Sequence, residues 1–124
     1  MKNAIEQEMG DYYGKVFKRY DFREHMRQFF ESFDLLISPT VPVTAFEVGK
    51  NVPDALSDRT LVSWVYYTYP FNLTGQPAAS LPVGFTGEGL PVGMQVVGRI
   101  NDEETVFSLC GEYEQHYGCF DRRP

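Results

Sequence analysis

The chain has 124 residues, 43% of them hydrophobic, which suits one compact domain with its own core and argues against disorder. Eleven Lys and Arg stand against 17 Asp and Glu, a formal charge of −6, so the basic face that a nucleic-acid partner requires is not expected. No apolar run approaches the ~18 residues that span a membrane.

Ile5, Met9, Tyr12, Tyr13, Val16, Phe17 and Tyr20 recur at the helical period, so residues 4–20 are expected to form a helix, weakened by Gly10 and Gly14. Asp21 followed by Glu24 has the pattern of an N-cap with its reciprocal carboxylate. Phe22, Met26, Phe29, Phe30 and Phe33 then mark one face of a second helix, or of a continuation of the first. Such a stripe implies core packing, with a substrate pocket as the sharper alternative. Asp34-Leu-Leu-Ile-Ser38, stopped by Pro39, predicts a short buried strand. Residues 42–60 carry Pro42, Gly49 and Pro53 and form the longest irregular segment. The aromatic-rich run from Leu61 to Tyr69 predicts a short helix ending before Pro70, and Asn72-Leu-Thr-Gly75 a helical turn closed by its glycine.

Ala78 to Phe85 and Val92 to Gly98 read as the strands of a hairpin joined by Thr86-Gly-Glu-Gly89. Pro82 lacks an N–H and belongs at an edge or a bulge. Asn101 is expected to cap the last helix, with Glu104 completing a capping box. Val106, Leu109, Cys110, Tyr113 and Tyr117 form its buried stripe, and Gly118 ends it.

Catalytic constellations are sparse. Lys2, Lys15, Lys18 and Lys50 lie outside any apolar segment that would lower an amine's pKa. No serine sits in a Gly-x-Ser-x-Gly or Ser-x-x-Lys pattern. His25 and His116 lack recognisable nucleophile partners and read as helix-surface residues. Glu103-Glu104 suits the positive end of a helix dipole. Cys110 and Cys119 have no ligands at metal spacing, so no metal is expected. With no signal peptide they fit reduced thiols in a cytoplasmic protein, a disulfide being the alternative.

Three stretches carry a family resemblance. They are Phe33-Asp-Leu-Leu-Ile-Ser-Pro-Thr-Val-Pro42, Pro70-Phe-Asn-Leu-Thr-Gly-Gln-Pro-Ala-Ala-Ser-Leu-Pro-Val-Gly-Phe85, and Gly89-Leu-Pro-Val-Gly-Met-Gln-Val-Val-Gly-Arg99. Together they resemble the C-terminal part of the amidase signature family, serine amidohydrolases that cleave carboxylic amides to acid and amine. The resemblance implies an α/β fold: a partial mixed sheet of about three strands, including the hairpin, with flanking helices, cut from a larger sheet. Residues 1–124 are then one domain, with a helical lead-in over 1–33 and the strands, long loop, hairpin and last helix over 34–124.

The family uses a Lys–Ser–Ser triad in a Gly/Ser-rich segment that this chain does not match. The resemblance implies hydrolysis without a metal or other cofactor, and the isolated chain is expected to be inactive, meeting its small amide substrate through a catalytic part outside it. Carried over by position, Thr40, Trp64, Thr68, Phe71 and Asn72 are the candidate substrate-binding residues. Core packing competes for Trp64 and Phe71, backbone capping for Asn72, and an N-cap role for Thr68. Ser80 corresponds to a polar strand position. The family includes one of the subunits of glutamyl-tRNA amidotransferases, although Phe71 and Gln76 look more like the general amidase branch. Exposed strand or helix faces left by a missing partner region imply a homo-oligomer. The alternative is a non-catalytic binding or structural domain, or a subunit, derived from an amidase tail.

Overall fold

A computed structural model describes residues 8–57 and 63–117. Ile5, Leu61, Gly118 and Cys119 lie outside the described residues. Among the described residues the chain opens with one long helix, α1 (Met9–Ser32), so the second stripe continues the first helix. Asp21 is therefore no cap: its carbonyl lies 2.7 Å from Nδ1 of His25, one turn on. Glu24 does not reach back but forward. It accepts from Arg27 Nε at 2.9 Å and from Arg27 Nη2 at 2.8 Å, while Arg27 Nη1 reaches Glu31 at 2.6 Å. Pairs at i+3 and i+4 of this kind favour an uninterrupted helix. Hydrogen bonds from Arg27 and then Gln28 hold the Glu24 carboxyl down at about 2.

The aromatic stripe of α1 is core at one end only. Phe30 is buried, but Tyr12, Tyr13, Phe17 and Tyr20 are each more than half exposed. Of the stripe expected to pack as core, Phe30 is buried and Met26 and Phe29 are half-buried, but Phe22 and Phe33 are exposed within this chain. α1 rests against the short helix α2 (Tyr69–Thr74). Arg19 Nε donates to the Leu73 carbonyl at 2.7 Å, satisfying a terminal acceptor of α2.

Three strands follow: β1 (Leu35–Pro39), β2 (Ala78–Phe85) and β3 (Pro91–Gly98), in the order β1-β3-β2. The mixed sheet expected of the family is wholly antiparallel over these three strands, because the hairpin runs β3 back along β2 and β1 pairs antiparallel to β3. The hairpin closes through Thr86, whose N–H donates to the Leu90 carbonyl at 2.8 Å. Gly89 takes a φ of 85°, which costs glycine little. Pro82 lies on an edge strand, and the register shifts between Pro82 and Gly84. Its missing N–H thus interrupts no interior ladder. Pro39 does not stop β1 but ends it on the other edge.

The last helix, α3 (Glu103–Tyr117), packs on β2 and β3. Leu81, Val96, Val106 and Cys110 form the core, with Leu35, Ala79, Met94, Leu109 and Tyr113 around them. Tyr117 departs from the expected stripe and is 72% exposed. The cap is also one residue later than expected. The Asp102 carboxylate accepts from the Thr105 N–H at 3.3 Å and from its hydroxyl at 2.7 Å. Asn101, with φ of 62°, turns the chain into the helix, and Glu104 takes no part in the cap. No helix among the described residues is long and apolar enough to cross a membrane.

Candidate substrate-binding site

Side chains alternate across a strand, so the sheet has two chemically distinct faces. Met94, Val96, Ala79 and Leu81 turn to the core beneath α3. The opposite face is polar at its centre. There Ser38 pairs with Gln95 across β1 and β3, and Ser80 pairs with Gln95 across β2 and β3. Thr40 continues the line just beyond β1, its N–H donating to the Gly93 carbonyl at 2.9 Å.

Thr40 and Ser80 come from opposite edges of the sheet, yet their hydroxyl oxygens are 2.7 Å apart. The central strand between them permits this because residue 93 is glycine. A Cβ there would stand 2.7 Å from Thr40 Oγ1 and 3.1 Å from Ser80 Oγ. Gln95, 3% exposed, anchors the roof: its Nε2 donates to the Tyr67 carbonyl at 2.7 Å and to Ser38 Oγ at 3.1 Å. A buried carboxamide bonded on two sides fixes the loop before α2 over the sheet.

α2 itself begins differently from expectation. The short helix expected before Pro70 is a 3₁₀ turn, and the helical turn expected from Asn72 starts earlier, at Tyr69, with Pro70 in its first turn. Proline is tolerated there because its missing N–H is one that the helix leaves unpaired. Gly75, at φ of 83°, closes α2 by donating to the Phe71 carbonyl at 2.8 Å.

Between this roof and the polar sheet face lies a cavity of about 330 Å³. Thr40, Thr68, Phe71, Asn72, Gln76, Ala78, Ala79, Ser80 and Gln95 line it. Four of the five candidate residues, Thr40, Thr68, Phe71 and Asn72, thus share one wall. Trp64 does not join them. It lies in a 3₁₀ turn (Ser63–Val65), 36% exposed, with its ring edge-on to Phe46 at a centroid distance of 6.0 Å. Thr68 stands at the N-cap position of α2, but its hydroxyl donates backwards to the Val65 carbonyl at 3.2 Å and caps nothing.

Sequence reasoning misses Gln76 and Gln95 as site residues, and it gives Ser80 only a polar strand position. The signal for Gln95 is a lone carboxamide in the apolar run Val92 to Gly98. Polar residues inside a central strand need buried partners. Among the described residues no charged side chain lines the cavity. Among the described residues no cluster of three or more His, Cys, Asp or Glu could hold a metal ion. The wall offers hydroxyls, carboxamides and one phenyl ring, a set that recognises an uncharged polar molecule with an apolar part.

The amidase family model matches residues 1–107. The glutamyl-tRNA(Gln) amidotransferase A chain of Brevibacillus brevis, one subunit of that enzyme, is 44% identical over 95 residues, 77% of this chain and 19% of that protein. Its counterpart in Microcystis aeruginosa is 41% identical over 114 residues, 91% of this chain and 23% of that protein. The chain therefore spans about a fifth of the length of the curated relatives it matches. The solved structure of 6-aminohexanoate cyclic dimer hydrolase complexed with substrate shares the fold with a TM-score of 0.87 at 28% identity, covering 99% of this chain and 28% of that one. With the family pattern matched over most of its length and its strands and helices shared with that solved hydrolase, the chain belongs to the amidase family.

Proposed function

We propose that this chain is the C-terminal part of an amidase that hydrolyses carboxylic amides to acid and amine, and that it supplies the wall of the acyl-binding pocket. The observation that carries the reading is the shared cavity: Thr40, Thr68, Phe71 and Asn72 meet over a neutral polar sheet face. Phe71 offers the apolar contact for an acyl chain, and the hydroxyls and carboxamides offer hydrogen bonds to its polar end. The nucleophile and base belong to the family's Lys–Ser–Ser segment, outside these residues, so the chain positions substrate and does not cleave it.

Nuclear magnetic resonance titration of the 124-residue chain with linear primary amides, from acetamide to hexanamide, tests this. Saturable shifts confined to Thr68, Phe71, Asn72 and Ser80 are expected, growing with acyl length. Shifts that are absent, or spread along α1, would refute the wall. The chain alone should turn over neither amides nor anilides. Turnover that Ser80→Ala abolishes would overturn the assignment of the nucleophile to another segment.

The names of the curated relatives favour a second reading for the whole protein, as a component working with other chains. A native particle larger than the full-length protein, containing other polypeptides, would support it. A full-length protein active by itself would oppose it.

A further inference from the structure

We propose that Gln95 is a positioning residue of this site: its carboxamide holds the cavity roof at a set height above the sheet, and that height decides which acyl lengths are covered. The proposal rests on the amidase-wall reading above.

Gln95 stands on the central strand, opposite Ser38 of β1 and Ser80 of β2. Both cross-strand neighbours are short, and the longer side chain of Gln95 reaches past them to the roof. An amide nitrogen carries two protons, and both are spent here: one on the Tyr67 carbonyl at 2.7 Å, the other on Ser38 Oγ at 3.1 Å. The Tyr67 partner also fixes which way the carboxamide faces, because a carbonyl only accepts. The donor end of Gln95 thus has no proton left for a ligand and acts through the roof.

The roof is tied at both ends. Gln95 ties the Tyr67 peptide to the sheet just before α2, and Arg19 ties the Leu73 carbonyl to α1 near the end of α2. Thr68, Phe71 and Asn72, which line the cavity, lie between these two ties. Thr68 adds no tie to the sheet, since its N–H and its hydroxyl both end on the Val65 carbonyl of the same loop. α2 has only six residues, too few to hold a place by its own stability. Loss of the Gln95 bond therefore frees the sheet side of the roof while Arg19 keeps the other side. Tyr67 is 41% exposed, so water replaces Gln95 at its carbonyl and the acceptor stays satisfied.

Phe71 is the apolar contact that the roof carries. Its height above the sheet sets how many methylenes of an acyl chain are covered from both sides. Each fully buried methylene is worth about four-fold in affinity, so a raised roof weakens long chains and spares short ones. A defect in folding would weaken both alike.

The test titrates the 124-residue chain with acetamide and hexanamide, followed by nuclear magnetic resonance. Wild type should bind hexanamide about ten-fold or more tightly than acetamide. Gln95→Met, similar in volume but without the donor, should leave acetamide within about two-fold and cut the hexanamide preference below about three-fold. The Thr68 amide shares a peptide unit with the Tyr67 carbonyl, so its nitrogen resonance should move in Gln95→Met without ligand, while those of α3 stay in place. A Gln95→Met chain that keeps the hexanamide preference, or an unmoved Thr68 resonance, would overturn the proposal. Equal weakening of both probes, or a variant that no longer folds, would also overturn it, because the carboxamide would then serve the fold. A wild-type chain that binds the two probes equally removes this proposal alone. A wild-type chain that binds neither removes the amidase-wall reading and this proposal together.

Discussion

Two glycines show how single residues set the site and its support. Gly93 leaves room for the Thr40 and Ser80 hydroxyls to meet over the central strand. Thr40 is β-branched and yields little at χ1, so a methyl at 93 must separate the pair. Gly93→Ala should lower unfolding free energy by about 1–3 kcal/mol, read from urea melts. A Thr40→Ala background should recover part of that loss, because the closest clashing atom is then gone. Equal losses in both backgrounds would place the strain elsewhere. On the other face, Gly98 seats α3: a Cβ there would meet Val106 Cγ2 at 2.7 Å and the Asp102 carbonyl at 3.2 Å. Cys110, deeper in the same core, supplies a pH signature. Burial, and then the Glu114 charge, push its thiol above the ordinary value. The folded state thus holds the proton more tightly than the unfolded state. Its contribution is complete below the unfolded thiol value and is lost as pH rises through the folded one. Melting temperature should therefore fall as pH rises above about 9, and the fall should be shallower in Cys110→Ala. Identical slopes in the two proteins would contradict the burial effect.

The elements divide by how local their causes are. The hairpin was readable because strand alternation and the turn sequence Thr86 to Gly89 act within a few residues. The turn closed by Gly75 was readable for the same reason. The start of α2 was not: Pro70 both ends helices and begins them, and only the roof contact of Gln95 with Tyr67 settles where the turn lies. The cap pattern at Asp21 does not form, and Glu24 pairs instead with Arg27, one turn ahead, within the continuous helix. The α3 cap was displaced by one residue because Asn101 and Asp102 are both capping types, and what separates them is backbone conformation. That displacement is testable. Asp102→Ala should cost about 1 kcal/mol, the usual worth of an N-cap, while Glu104→Ala should cost less than about 0.5 kcal/mol. The reverse order would restore the Asn101–Glu104 box. Gln76 was hidden from the sequence for a different reason. Its burial arises only when α2, the sheet and α1 converge, and no local pattern encodes that convergence.

At the scale of the molecule, the sheet has three strands and two edges. β1 pairs on one side only, within the described residues. Ile37 on β1 is 54% exposed, and Phe107 on α3 is 70% exposed. Along α1, Tyr12, Tyr13, Phe17 and Tyr20 add a row of uncovered rings. An open β1 edge beside apolar surface favours association. The formal charge of −6 opposes it, but screening weakens that repulsion beyond about 8 Å at physiological salt. We therefore propose that the 124-residue chain self-associates. Sedimentation at micromolar concentration in 0.15 M salt should show dimers or larger species, and lowering the salt should shift the population towards monomer. Two routes are open, edge-strand pairing and packing of the α1 rings, and they respond to different changes. Replacing Tyr13 and Phe17 by Lys should dissolve a helix-mediated dimer while leaving strand pairing intact. Ile37→Lys places a charge on the β1 edge strand and should have the opposite effect. A chain that sediments as a monomer at all concentrations, and binds no hydrophobic dye, would show that the exposed aromatics and the open β1 edge do not suffice to hold two copies together.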